Sequence, residues 1–227
     1  MFGSATLDER GVRPGTMAAG QVHLGGARED LAVDGVTVTL MTVVSGVEVD
    51  VLRCDVSAGF TLAAGRSRAI PFEQPLPWET PFTHFAGEHL PAVSVRLRTT
   101  VTVAGKPVDV GVTPVTVHPT GGQWLVLDTL RRQGWTFPRC EVRQGTVPGV
   151  RQTDPFLQWF ECEGPDAGGP LRLTFVANPV GVDVLLAPAG TDGGPDGQRG
   201  LAVRHDDDAL DVLALLEDLF RPVPARR

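Results

Sequence analysis

In the segment VSVRLRTTVTV (residues 93 to 103), Val93, Val95, Leu97, Thr99, Val101 and Val103 fall on one parity. Ser94, Arg96, Arg98, Thr100 and Thr102 fall on the other. Period two with many β-branched residues predicts a half-buried antiparallel strand. VTVTLMTVV and VEVDVLRCDV repeat the pattern, and the Ser45-Gly46 pair between them suits a tight turn. MAAGQVHLGG, AGFTLAAG and VDVGVTPVTV bring the set to about seven short strands, at the spacing of a β-sandwich. No helical period precedes residue 120.

The run HPTGG, residues 118 to 122, reads as a linker. Beyond it, QWLVLDTLRRQG predicts a short helix at about 123–133 closed by Gly134. Strands are expected at RCEVRQ, FLQWFECEG, LRLTFVANP and VGVDVLLAPA, and GTDGGPDGQRG reads as a flexible loop. DDDALDVLALLEDLF predicts a second helix at about 207–220, capped by an aspartate and stopped by Pro222. Its apolar side is expected to carry Leu210, Leu213, Leu216 and Phe220, joined by Leu219. There is no internal repeat. The expectation is a mainly β protein of two tandem antiparallel sandwiches, residues 1–119 and 120–227, the second bearing both helices.

Composition narrows the function. The 227 residues are 42% hydrophobic, enough for a real core, and carry a formal net charge of −7. The arginines are scattered and Lys106 is the only lysine, so no basic stripe exists to replace the counterions of a nucleic acid. Cys54, Cys140 and Cys162 form neither a CxxC motif nor an even set. MFGSATLDER has acids and no apolar run, unlike a signal peptide. The most apolar stretch is broken by Asp34 and Gly35, short of the roughly 20 residues that span a bilayer. These features predict a soluble cytoplasmic protein with free thiols and no membrane insertion.

Candidate chemistry is sparse. In HFAGEH, His84 and His89 stand five apart around Gly87, off the i, i+4 spacing of a metal-binding helix, so a solvated loop is expected. In HDDD the three aspartates, Asp206 to Asp208, sit where a helix N-terminus favours negative charge, and capping is expected over metal binding. GTDGGPDGQRG matches no calcium or phosphate loop, and no GxSxG occurs. Glu161 and Glu163 flank Cys162 on one strand and read as a solvated edge. No catalytic residue, metal site or cofactor is expected. The acidic last helix lacks the Lys and Arg of a membrane-surface helix. Trp78, Trp124, Trp135 and Trp159 keep a second possibility open, a small-ligand or carbohydrate-binding module using aromatic stacking.

The most unusual stretch is IPFEQPLPWETPFT, residues 70 to 83, with four prolines and three aromatics. It contains no PxxP, and proline belongs on a sheet edge or in a crossing segment. Ile70, Phe72, Leu76 and Trp78 can pack inward from such a crossover. Three stretches together carry a resemblance: RPGTMAAGQVHLGG with Pro14, Gly15, Gly20, Gly25 and Gly26; IPFEQPLPWETP with Pro71, Phe72, Leu76, Pro77, Thr80 and Pro81; and the strand pair of residues 93 to 119. In that order they resemble the arrestin-like proteins, and more narrowly the bacterial sporulation-control family of SpoOM type. The second half is similar too, through QGWTFPRCEV, PFLQWFEC and LRLTFVANPVGVDVLLAPAG.

The resemblance implies two arrestin-like sandwiches and a regulatory adaptor that docks cytoplasmic or envelope-associated proteins rather than an enzyme. One departure concerns KPVDVGVTP, where the family tends to carry several aspartates. This chain keeps Asp109 but has Gly111 and Thr113 where further acids are expected. Arg96 and Arg98, on the polar parity of their strand, and Asp109 are the residues expected to meet a partner.

Overall fold

The computed structural model describes residues 2–165, 169–189 and 199–220. The chain divides into two compact units, Met1–His84 with Val93–His118, and Phe85–Ala92 with Pro119–Arg227. In chain order the elements are β1 (Phe2–Leu7), β2 (Met17–Gly25), β3 (Leu31–Val33), β4 (Gly35–Val44), β5 (Val47–Ser57) and β6 (Phe60–Leu62). Then come β7 (Arg68–Pro75), β8 (His84–Phe85), β9 (Glu88–His89), β10 (Val95–Val103), β11 (Lys106–Pro114) and α1 (Gly121–Arg132). The last are β12 (Thr136–Gln144), β13 (Phe156–Glu163), β14 (Leu171–Ala177), β15 (Gly181–Pro188), β16 (Arg199–Arg204) and α2 (Ala209–Phe220).

In the first unit, β1-β2-β7 form one antiparallel sheet and β11-β10-β4-β5 another. The sheets pack through the apolar parity of their strands: Ala18 and Phe72 from one meet Val38, Leu40 and Leu97 from the other around a gap of only about 30 Å³. Three two-residue hairpins, Ser45-Gly46, Ala86-Gly87 and Ala104-Gly105, have positive φ at both positions. That is the turn whose twist matches the strands it joins. Strand β1, which the N-terminal composition did not announce, pairs along its whole length with β2.

The proline-rich stretch is an edge strand over its first part and a crossover only after it. Pro71 and Pro75 lie on β7, an edge strand of its sheet, where a missing N–H costs no ladder bond. The opening loop then locks onto the crossover. Gly15 donates to the Leu76 carbonyl (3.0 Å) and Leu76 to that of Thr16 (2.9 Å). A Cβ on Gly15 would stand 2.4 Å from the Trp78 ring, and one on Gly20 would stand 2.3 Å from the Thr6 carbonyl oxygen and 2.9 Å from Phe72. Thr80 closes the bend by donating its hydroxyl to the Pro77 carbonyl (2.8 Å). Gly15 and Gly20 thus sit where neighbouring groups leave no room for a side chain.

In the second unit β12-β13-β14-β15-β16 form an antiparallel meander. One face buries Val142, Phe160, Leu173, Val184 and Val203. A second layer is supplied by the helices, α1 touching α2 and β15, and α2 touching β16. An edge-to-face aromatic chain runs from Trp124 through Phe85, Phe137 and Phe160 to Phe175, at 5.2, 6.2, 6.0 and 5.9 Å. Phe85 explains why residues 85–92, early in sequence, belong to this unit.

Both helices are capped as the chain directs. Thr120 and Gln123 exchange side-chain and backbone hydrogen bonds at the start of α1 (3.3 and 2.9 Å), a capping box. At its end Gly134 takes φ +87°, and the Gly134 and Trp135 N–H groups close on the carbonyls of Arg131 and Leu130. In α2, Asp208 accepts from the N–H groups of Leu210 and Asp211 (2.8 and 2.9 Å). The buried side of α2 is Val212, Leu216 and Leu219, whereas Leu210 is 75% exposed. At 3.6 residues per turn the buried three fall within an arc of about 60°, and Leu210 points the opposite way. The Phe220 side chain, Pro222 and residues 190–198 of the glycine-rich loop lie outside the described residues.

Candidate functional site

Strand register decides where the polar parity of the first unit goes. Arg96, Arg98 and Thr100 of β10 stand opposite Met41, Thr39 and Thr37 of β4. These in turn stand opposite Asp50, Arg53 and Asp55 of β5. All lie on the face turned away from the other sheet. In β5 the charges change parity, Glu48 and Asp50 being even and Arg53 and Asp55 odd. The register shift between Leu40 and Met41 leaves Val51 unpaired, a bulge that returns all four charges to one face.

On that face each arginine reaches across β4 to an acid of β5. Arg96 pairs with Glu48 at 2.6 Å and Arg98 with Asp50 at 2.7 Å. Thr37 donates to Asp55 (2.8 Å) and Thr100 to Asp109 (2.7 Å). The arginine stems bridge the central strand, and Met41 beneath them is 1% exposed, as expected when long charged side chains cover apolar surface. Arg96, Arg98 and Asp109 therefore belong to one ladder of alternating sign. Glu48 and Asp50 are the members that alternation alone did not single out. The parity change in VEVDVLRCDV was their signal.

Gly111, where the resemblance implies an acid, has a steric reason to be a glycine. Thr99 pairs with Gly111 and Thr100 with Asp109, so Val110 is an extra residue. This bulge turns Gly111 toward β1, where an added Cβ would lie 1.9 Å from the Gly3 carbonyl oxygen. No side chain fits there while β1 keeps its place.

The other candidates are accounted for locally. In HDDD, Asp206 pairs with Arg204 (2.9 Å), Asp207 accepts from the Arg204 N–H (2.7 Å) and Asp208 caps α2. His84 and His89 sit on the two arms of the β8–β9 hairpin, a regular turn in place of the expected loop. His84 Nδ1 shares a hydrogen bond with the Thr83 hydroxyl (2.9 Å). Cys140 and Cys162 are buried, and burial pushes both thiols up to about 12, leaving negligible thiolate at neutral pH. Each tryptophan has a local packing partner. Trp78 packs on Gly15, Trp135 on Gly164 and Trp124 on Phe85. Trp159 lies under Arg143, 4.8 Å from its ring centroid. Among the described residues no helix is long and apolar enough to cross a membrane.

The profile of the SpoOM protein family matches residues 4–188. The sporulation control protein Spo0M of Bacillus subtilis superposes with a TM-score of 0.75 over 96% of each chain, at 20% identity. At that identity the likeness shows the fold, an arrestin-like β architecture. An alkylpurine DNA glycosylase of Pseudomonas fluorescens (18% identity, 49% of this chain and 28% of the other, TM-score 0.33) carries no argument. Neither does red sea bream transglutaminase (12%, 90% and 31%, TM-score 0.31). No curated protein matches the chain.

Proposed function

The chain belongs to the SpoOM family, and from that premise we propose that it is a cytoplasmic, non-enzymatic regulatory adaptor of the sporulation-control kind. It works by binding other proteins, either cytoplasmic or envelope-associated. The observation that carries the reading is the ion-paired ladder on the outer face of the four-stranded sheet. Arg96 and Arg98 are already held by Glu48 and Asp50, so a partner meets charges whose rotamers are largely fixed. Preorganisation of that kind lowers the entropic cost of docking, and a pattern of alternating sign selects a complementary surface.

The test is affinity capture of the tagged protein from its own host, followed by zero-length carboxyl-to-amine cross-linking and mass spectrometry. Carboxyl chemistry is required because Lys106 is the only lysine. Reproducible capture of a defined regulatory, cytoskeletal or envelope protein, cross-linked through Glu48, Asp50 or Asp109, is the expected result. Turnover of a defined metabolite at an ordinary enzymatic rate, or cross-links confined to the second unit, would overturn the proposal.

A further inference from the structure

We propose that the groove on the outer face of the five-stranded sheet, beneath the turn that follows β12, binds a small monocarboxylic acid. This is independent of the adaptor reading. The groove encloses about 290 Å³ between residues 145–148 and a floor that includes Trp159, Thr174 and Leu185, near the lower end of small-ligand cavities.

Its roof is built without a ligand. The loop joining β12 to β13 is pinned by one side chain, Gln152, whose Nε2 donates to the carbonyls of Gly145 (2.9 Å), Asp154 (2.6 Å) and Phe156 (3.2 Å). Its Oε1 accepts from the Val147 N–H (2.8 Å). A loop whose own amide and carbonyl groups are met by one buried-side anchor holds its shape.

The floor carries unmet polar capacity. Trp159 is 8% exposed and its indole Nε1, buried, has no acceptor among the described residues, a deficit that native interiors rarely leave. Arg172 is half-buried in the wall, and among the described residues no ion pair engages it. Beside it Thr174 brings a hydroxyl. Arg143, also in the wall, shares Glu141 with Arg139. Glu161 stands opposite Arg172 in the register, yet the two form no ion pair, which leaves the guanidinium fork open toward the groove.

That open fork selects the ligand. A carboxylate takes a guanidinium fork through two oxygens and brings one negative charge. A phosphate dianion would leave a charge uncompensated in a half-enclosed site. Val147, Pro148, Leu157, Leu185 and Ala187 give the lining an aliphatic side that suits a compact apolar body on the acid.

The experiment follows the indole N–H resonances of the ¹⁵N-labelled full chain during titration with sodium benzoate and sodium hexanoate. Benzamide and inorganic phosphate serve as the neutral and dianionic comparisons. The Trp159 signal, assigned with Trp159→Phe, is expected to shift saturably with at least one carboxylate and not with benzamide. Binding should weaken by roughly tenfold or more in Arg172→Gln, in line with the loss of a charge-assisted fork. If that variant does not fold, Arg172→Lys replaces it, and a several-fold loss is expected because the charge remains while the fork is gone. No shift with either acid, an equal shift with benzamide, tighter binding of phosphate, or unchanged affinity in the arginine variant would each overturn the proposal.

Discussion

The outer faces of the two large sheets use the same residue types in opposite ways. On the four-stranded sheet each arginine of β10 finds an acid two strands away, and the pairs close over Met41. On the five-stranded sheet Arg139 and Arg143 share one acid, no ion pair among the described residues engages Arg172, and a loop is propped above them by Gln152. Polar patterning is therefore not enough to tell a closed face from an open one. The pairing of charges along the register decides, and a bulge such as that at Val51 can set it.

The largest effect is expected where backbones nearly touch. Gly111→Asp places a Cβ 1.9 Å from the Gly3 carbonyl oxygen and should destabilise the first unit by about 3 kcal/mol or more in chemical denaturation, through forced separation of β1 from β11. Gly145→Ala in the roof of the groove, whose nearest neighbour would be Leu157 at 3.6 Å, should change stability by less than about 0.5 kcal/mol. Equal losses would mean that close approach is not what fixes Gly111.

Next in size is Gln152→Ala. Losing four hydrogen bonds from one anchor should cost about 2 kcal/mol and speed hydrogen exchange at Val147. Unchanged exchange there would show that the loop is held by other means.

A smaller, pH-dependent term comes from α1. The hydrogen bond from Arg131, supported by the charge and hydrogen bond of Arg132, holds the Asp128 carboxyl below its usual value of 3.8 despite partial burial. A carboxyl depressed in the folded state stabilises above its unfolded pKa and loses that contribution as pH falls through the folded one. Melting curves of the parent and Asp128→Asn should thus differ most near neutral pH and converge below 3.8. A gap that persists in acid would contradict this.

The smallest effect should be Asp50→Asn, which breaks a half-exposed pair with Arg98. About 0.5 kcal/mol is expected, shrinking further in salt.

Much of this architecture was legible in advance. Alternation placed β4, β5 and β10, and the residues after 120 announced α1. Proline chemistry left an edge or a crossover open for residues 71 and 75, and the register puts them on an edge. Strand β1 was hidden because Gly3 and Ser4 break its apolar alternation, yet the glycine is what lets β11 approach. Strand β16 is short and borders a glycine-rich stretch. Counting leucines selects the wrong face of α2, since Val212 rather than Leu210 completes the buried arc. For the two outer faces, the arginines were visible but their partners were not. Pairing depends on register and bulges, which local patterns do not encode.

The most direct test of the docking face is a charge exchange that preserves its internal ion pair. The double variant Asp50→Arg with Arg98→Asp keeps opposite charges facing each other while reversing the pattern a partner meets. Quantitative capture from the host should fall by roughly tenfold or more relative to the parent, with the melting temperature little changed. Undiminished capture of the same partner by the folded double variant would contradict the claim that this face does the docking.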